Sequence, residues 1–121
     1  MKIPGPDHPI TITPATERVR VTFNGQLVAD SKRALVLQEA SYKPVFYIPR
    51  EDAQMALFAR TSNASHCPYK GDASYFTVTA GGLVRENGVW SYENPKPAVG
   101  AIAGHVAFYP DKVDAIEELR E

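Results

Sequence analysis

Asn24-Gly25 separates two short runs, Arg18-Val19-Arg20-Val21-Thr22-Phe23 and Gln26-Leu27-Val28-Ala29, and this juxtaposition constrains the fold more than any other feature of the chain. The first run alternates polar and apolar residues, the period of a strand with one face buried. Asn-Gly supplies two residues that accept positive φ, as a two-residue hairpin turn demands. A second Asn-Gly, at Asn87-Gly88, precedes Val89-Trp90-Ser91-Tyr92, and Gly81-Gly82 reads as a further turn between Ala73–Thr79 and Leu83–Glu86. Chains punctuated in this way build antiparallel sheets, because βαβ units need a crossover of a dozen or more residues between strands.

The remaining segments follow the same logic. Ala34–Leu37 and Val45–Ile48 are apolar runs joined by a turn at Ser41-Tyr42-Lys43-Pro44, and His105–Tyr109 reads as a last strand. Pro49 suits a first helical position, with Glu51 and Asp52 at the positive end of the dipole and Met55, Leu57, Phe58 and Ala59 as the apolar side, so a helix is expected over about 49–60. Thr61–Lys70 reads as a polar loop, and Ala98–Ala103 as a single helical turn. Pro110-Asp111 predicts a short C-terminal helix capped by Asp111 and running into a charged tail through Glu121. Residues 1–14, with four prolines, are expected to lie extended over the body as an arm, Thr11-Ile12-Thr13 forming a short edge strand. The expectation is mainly β: a compact antiparallel barrel or two-layer sandwich of about seven short strands in one domain, residues 15–121.

Composition narrows the function classes. Thirteen basic against 14 acidic side chains leave a formal charge of −1, and Lys32-Arg33 is the only adjacent basic pair, so nucleic acid is not an expected partner. No apolar run approaches the roughly 18 residues of a membrane helix, and the start of the chain carries Lys2 without the hydrophobic stretch of a secretory signal. A single cysteine forms no internal disulfide, which suits a reducing cytoplasm. One cysteine and three scattered histidines do not make a zinc site, and no cofactor is implied. The flat edge implied by short strands leaves a homodimer open.

Candidate chemistry concentrates in His66-Cys67-Pro68-Tyr69-Lys70-Gly71. Cys67 is a candidate nucleophile, with Lys70 and His66 as the positive charges that favour thiolate, although adjacent strand residues point to opposite sides. His105 is a second candidate base. The plainer reading of Cys67 is a small buried apolar side chain. Arg50 would clamp an anion with its planar fork or pair with a surface acid. Lys70 and the backbone at Gly71 would assist an anion. Tyr47, Tyr69, Tyr75, Trp90 and Tyr92 supply aromatic surface. Trp90 and Tyr92 share one strand face, as do Ala73 and Tyr75 opposite Phe76, so one face is expected to be core and the other pocket. These residues predict a pocket for a small, planar, anionic ligand held by Arg50 and Lys70. A Cys67-dependent enzyme and a purely structural or interaction module are the alternatives.

Five segments carry a family resemblance: Val28-Ala29-Asp30-Ser31, Val45–Asp52, His66–Tyr75, Trp90–Pro95 and Ile102–Tyr109. Through them the chain resembles the domain of unknown function 427 family, also labelled nucleotidyltransferase-like. The resemblance implies a small, mostly β, single-domain protein of bacterial type and points at the same residues. Nucleotidyl transfer uses paired acids on a strand to hold Mg²⁺, and the chain has neither an Asp-x-Asp strand nor a phosphate-binding glycine loop.

Overall fold

The computed structural model describes residues 3–119; the first two residues of the arm and the last two of the charged tail lie outside the described residues. The described chain is antiparallel β throughout. Its ten strands are β1 (Ile10–Pro14), β2 (Arg18–Phe23), β3 (Gln26–Ser31), β4 (Leu35–Glu39), β5 (Val45–Tyr47), β6 (Phe58–Cys67), β7 (Gly71–Ala80), β8 (Leu83–Ser91), β9 (Val106–Phe108) and β10 (Ala115–Leu119). They form three sheets, β1-β4-β5, β10-β2-β3 and β6-β7-β8-β9, rather than a closed barrel. Reciprocal 2.8 Å backbone bonds between Ile48 and Val106 tie the first sheet to the last. No helix among the described residues is long and apolar enough to cross a membrane.

The Asn24-Gly25 hairpin forms as expected, with φ of 50° and 74°. Gly81-Gly82 turns β7 into β8 with φ of 59° and 81°. The edge strand expected at Thr11–Thr13 is β1, paired along its length with β4. Asn87-Gly88 departs from expectation and makes no hairpin. It sits inside β8 where the register shifts, so that Glu86, Asn87 and Gly88 lie against Thr77 alone. The positive φ of Asn87, 54°, is spent on a bulge. Its side chain accepts a 2.6 Å hydrogen bond from the Thr61 hydroxyl.

Neither expected α-helix is present. Residues 49–60 contain two 3-10 turns, Arg50–Asp52 and Met55–Leu57, followed at once by β6. Between the turns Ala53 is extended and bridges Ala29, and the Gln54 amide donates to the Val28 carbonyl at 2.8 Å. A helix of three turns draws most of its stability from tertiary packing, and here the tertiary partners β3 and β7 offer ladder bonds instead. The expected polar loop 61–70 is mostly β6, paired with β7 through His66↔Asp72 and Cys67↔Gly71. At the other end Pro110–Lys112 makes one 3-10 turn, after which Ala115–Leu119 pairs with β2. Asp114 accepts from the Gly25 amide at 2.8 Å instead of belonging to a helix.

Side-chain parity divides the interior in two. Phe76, Val78 and Ala80 of β7, Val89 of β8, and Val106 and Phe108 of β9 face β2 and β3, packing with Val19, Val21, Phe23, Val28 and Ala29. Ala73, Tyr75, Tyr92 and Ala107 lie on the other side, with Leu37 and Tyr47. Within the four-stranded sheet, β7, β9 and the end of β8 are therefore covered on both faces while β6 is largely exposed, and neighbouring residues in β7, β8 and β9 serve different cores.

Candidate functional site

The second core opens into a cavity of about 200 Å³. Its walls come from four places: Leu37 and Glu39 of β4, Val45 and Tyr47 of β5 with the preceding turn, Lys70 and Tyr75 about the start of β7, and Trp90, Tyr92 and Tyr109 about the end of β8 and β9. Trp90 and Tyr92 face it together because they are two residues apart on a strand. Trp90 tilts against Tyr109 with ring centres 4.4 Å apart, and its indole N–H donates to the Tyr47 hydroxyl at 3.3 Å. The Tyr75 hydroxyl shares a 2.8 Å hydrogen bond with Ser65.

The Tyr47, Tyr92 and Tyr109 phenols stay protonated at neutral pH. Burial pushes Tyr47 up to about 12, against the Trp90 hydrogen bond that would lower it. Tyr92 is raised by burial and by the neighbouring Tyr47. Tyr109 is raised by burial and by its hydrogen bond with Tyr75. A buried phenol is thus available as a donor. Two of these donors remain unspent among the described residues: Tyr47 only accepts, from the Trp90 indole, and the Tyr92 hydroxyl has no hydrogen-bond partner.

A largely buried ion pair at the cavity joins Lys70 to Glu39, whose side chains are 12% and 14% exposed. The Lys70 ammonium also lies 5.8 Å from the centre of the Tyr92 ring. The second Glu39 oxygen meets Nε2 of His8 at 2.7 Å, and the His8 ring stacks on Tyr69 at 4.0 Å. Burial pushes the Glu39 carboxyl up, but the hydrogen bonds from Lys70 and His8 win and hold it below the ordinary glutamate range.

The structure gathers Tyr47, Lys70, Tyr75, Trp90 and Tyr92 around one cavity, but not the other predicted residues. Arg50 lies across the sheet. It donates to the Gly104 carbonyl at 2.7 Å, the Ser91 hydroxyl at 3.2 Å and Glu93 at 2.8 Å. Ser91 and Glu93 have opposite parity to Trp90 and Tyr92, so a guanidinium that reaches them is on the far face. Arg60 joins the same carboxylate at 2.7 Å, and both guanidinium groups flank the Phe76 ring.

Cys67 is half-buried against the second core, without a hydrogen bond or ion pair among the described residues. His66 points the other way and pairs with Asp72 at 2.7 Å, as strand alternation requires. Lys70 is committed to Glu39, and the His105 ring meets the Ala103 carbonyl at 3.1 Å. Sulfur, guanidinium and amine therefore do not line a common hollow. No group of three or more His, Cys, Asp or Glu side chains is placed to hold a metal ion among the described residues.

Gly71 lies outside the cavity and turns the chain into β7 at φ 108°. An added Cβ would find ordinary contact, 3.6 Å from the Lys96 nitrogen, so conformation alone opposes substitution. Gly71→Ala is expected to cost about 1–2 kcal/mol in urea unfolding. A neutral result would show that the backbone relaxes to negative φ.

Sequence reasoning missed Glu39, Tyr42, Lys43, Tyr109 and His8. Tyr42 and Lys43 sit in a predicted turn, and nothing local marks a turn residue as cavity-facing. Glu39 ends an apolar strand, where a lone carboxylate reads as a solvated terminus.

The family model described as Domain of unknown function (DUF427) matches residues 11–119. No curated protein matches the chain. The matched span takes in all ten strands but for Ile10, and with them every wall of the cavity, so the chain belongs to the DUF427 family.

Proposed function

We propose that this protein binds a small, planar, acidic molecule in the tyrosine-lined cavity. The observation that carries the reading is a largely buried lysine, paired with Glu39, set among aromatic rings beside two unspent phenolic donors, Tyr47 and Tyr92. Flat ring faces suit a planar ligand, and donors without partners suit its oxygens. Lys43, in the turn at the edge of the cavity, adds a second positive charge. Arg50, engaged across the sheet, takes no part.

Volume limits the ligand to about one ring. An apolar cavity of about 150 Å³ holds a benzene, whereas pockets enclosing drug-sized ligands run from about 300 Å³ upward. At about 200 Å³ the hollow suits a substituted single ring and not a whole nucleotide.

Trp90 is the only tryptophan and lines the cavity, so its fluorescence reports occupancy directly. Benzoate, 4-hydroxybenzoate and nicotinate are the probes, with benzamide as the uncharged control. A carboxylate is expected to change Trp90 emission saturably and, at about 100 times its Kd, to add about 2.7 kcal/mol of stability. The paired variant Lys70→Met/Glu39→Gln removes the cation without stranding a buried carboxylate. It is expected to weaken the carboxylates at least about tenfold, roughly 1.4 kcal/mol, and to spare benzamide. If none of the three acids alters emission or melting, the reading fails.

A further inference from the structure

We propose that the cavity admits its ligand as a carboxylate by drawing Glu39 onto a protonated His8, which makes ligand binding a proton-uptake reaction controlled by the N-terminal segment. The inference rests on the ligand reading above and adds the charge bookkeeping of the site. Lys70 already faces one carboxylate, Glu39. A ligand carboxylate arriving at the same ammonium would put two like charges side by side in a half-dry site, an arrangement in which one of the two ordinarily cannot stay ionised.

His8 resolves the conflict. Its Nε2 is 2.7 Å from Glu39 Oε2, while Lys70 holds Oε1. A protonated imidazole gives Glu39 a cation of its own, and Lys70 can then share its remaining N–H donors with the ligand. Inside the exposed rim turn that carries Lys43, the site then balances: two carboxylates, one ammonium, one imidazolium. The Tyr92 and Tyr47 hydroxyls supply the remaining donors to the ligand oxygens. With His8 neutral, only Lys43, exposed in the turn at the rim, is left to offset the second carboxylate.

His8 is built into this position. Reciprocal backbone bonds between Gly5 and His8, 3.4 and 3.0 Å, close the turn that presents the ring. Tyr69 stacks on it at 4.0 Å with planes 8° apart, and Tyr42, which also lines the cavity, meets it edge-on at 6.3 Å. The charged and titratable groups around it are Glu39 from β4, Tyr42 from the following turn, Tyr69 and Lys70 from the turn after β6, and Asp7 beside it in the chain. Glu39 is the group in direct polar contact.

The sign follows from linkage. A complex that favours the protonated imidazole is tightest where that form is populated and weakens as pH rises through the imidazole range, about pH 5–8. Titrations of the full chain with benzoate, read by Trp90 fluorescence at about pH 6 and about pH 8, are expected to give a Kd about tenfold higher at pH 8. Calorimetry in buffers of different ionisation heat is expected to show net proton uptake on binding. Benzamide is expected to show neither effect. H8Q should bind benzoate with one Kd at both pH values. E39Q, which removes the competing carboxylate, should bind at pH 8 at least as tightly as the wild type does at pH 6. Equal wild-type Kd values at the two pH values, or a wild-type ratio retained in H8Q, overturns the His8 coupling and leaves the ligand reading standing. No benzoate binding by either wild type or E39Q at pH 6 overturns both.

Discussion

Phe23→Ala lowers the melting temperature by roughly 10–20 °C, the largest single effect expected of this chain. Phe23 is the last residue of β2 and only 1% exposed. It packs in the first core, and the Arg85 guanidinium covers its ring at 5.7 Å. Removing a buried phenylalanine side chain costs about 3–5 kcal/mol, the transfer free energy plus the cavity left behind. Against a total of about 5–15 kcal/mol for a single domain, this is at least about a fifth of the stability. Urea unfolding with an unchanged slope would assign the loss to the folded state. A loss below about 1 kcal/mol would mean that the hairpin does not pack against β7 and β8.

The second large effect belongs to Glu93. Hydrogen bonds from Arg60, opposed by burial and reinforced by Ser74 and Arg50, pull its carboxyl down to about 2. A carboxyl lowered on folding adds stability above its unfolded value, near 4.3, and loses it as pH falls toward 2. The full shift corresponds to roughly 3 kcal/mol, but the side chain is 32% exposed and solvent screens the pairs, so about 1–2 kcal/mol is expected. Glu93→Gln should therefore destabilise by about that amount at pH 7, and the gap to wild type should close between about pH 4 and pH 2. A gap independent of pH would mean that the side chain's shape, not its charge, holds Arg50 and Arg60.

The antiparallel β class was legible because its signals are local. Asn24-Gly25 and Gly81-Gly82 need positive φ at adjacent residues, and the structure spends them on the hairpins their flanking runs predict. Asn87-Gly88 carries the same chemistry and builds a bulge, because the Gly81-Gly82 turn already reverses the chain six residues earlier. Local pattern cannot choose between these uses. The two expected helices failed for a related reason: caps and acidic first turns are local, whereas the strands that claimed Ala53 and Ala115–Leu119 lie far away in sequence, and Phe58–Cys67 went to the strand that follows it, β7. Parity did carry to the site. It placed Trp90 with Tyr92, and Ala73 with Tyr75, on a face apart from Phe76, and that face became the cavity wall. Parity applied one step further would have separated Arg50's partners Ser91 and Glu93 from that wall, but nothing in the sequence tells which residues Arg50 contacts.

Strand β8 and the two residues after it pack alternately into two unrelated environments: indole and phenol into the hollow, hydroxyl and carboxylate toward the guanidinium groups. Inserting one residue between Val89 and Trp90 would exchange those assignments, sending an anion among the tyrosines and a bare indole to the arginines. Side-chain replacements at positions 90 and 92 can retune the hollow while the far face stays as it is. This stretch therefore tolerates change of chemistry far better than change of length.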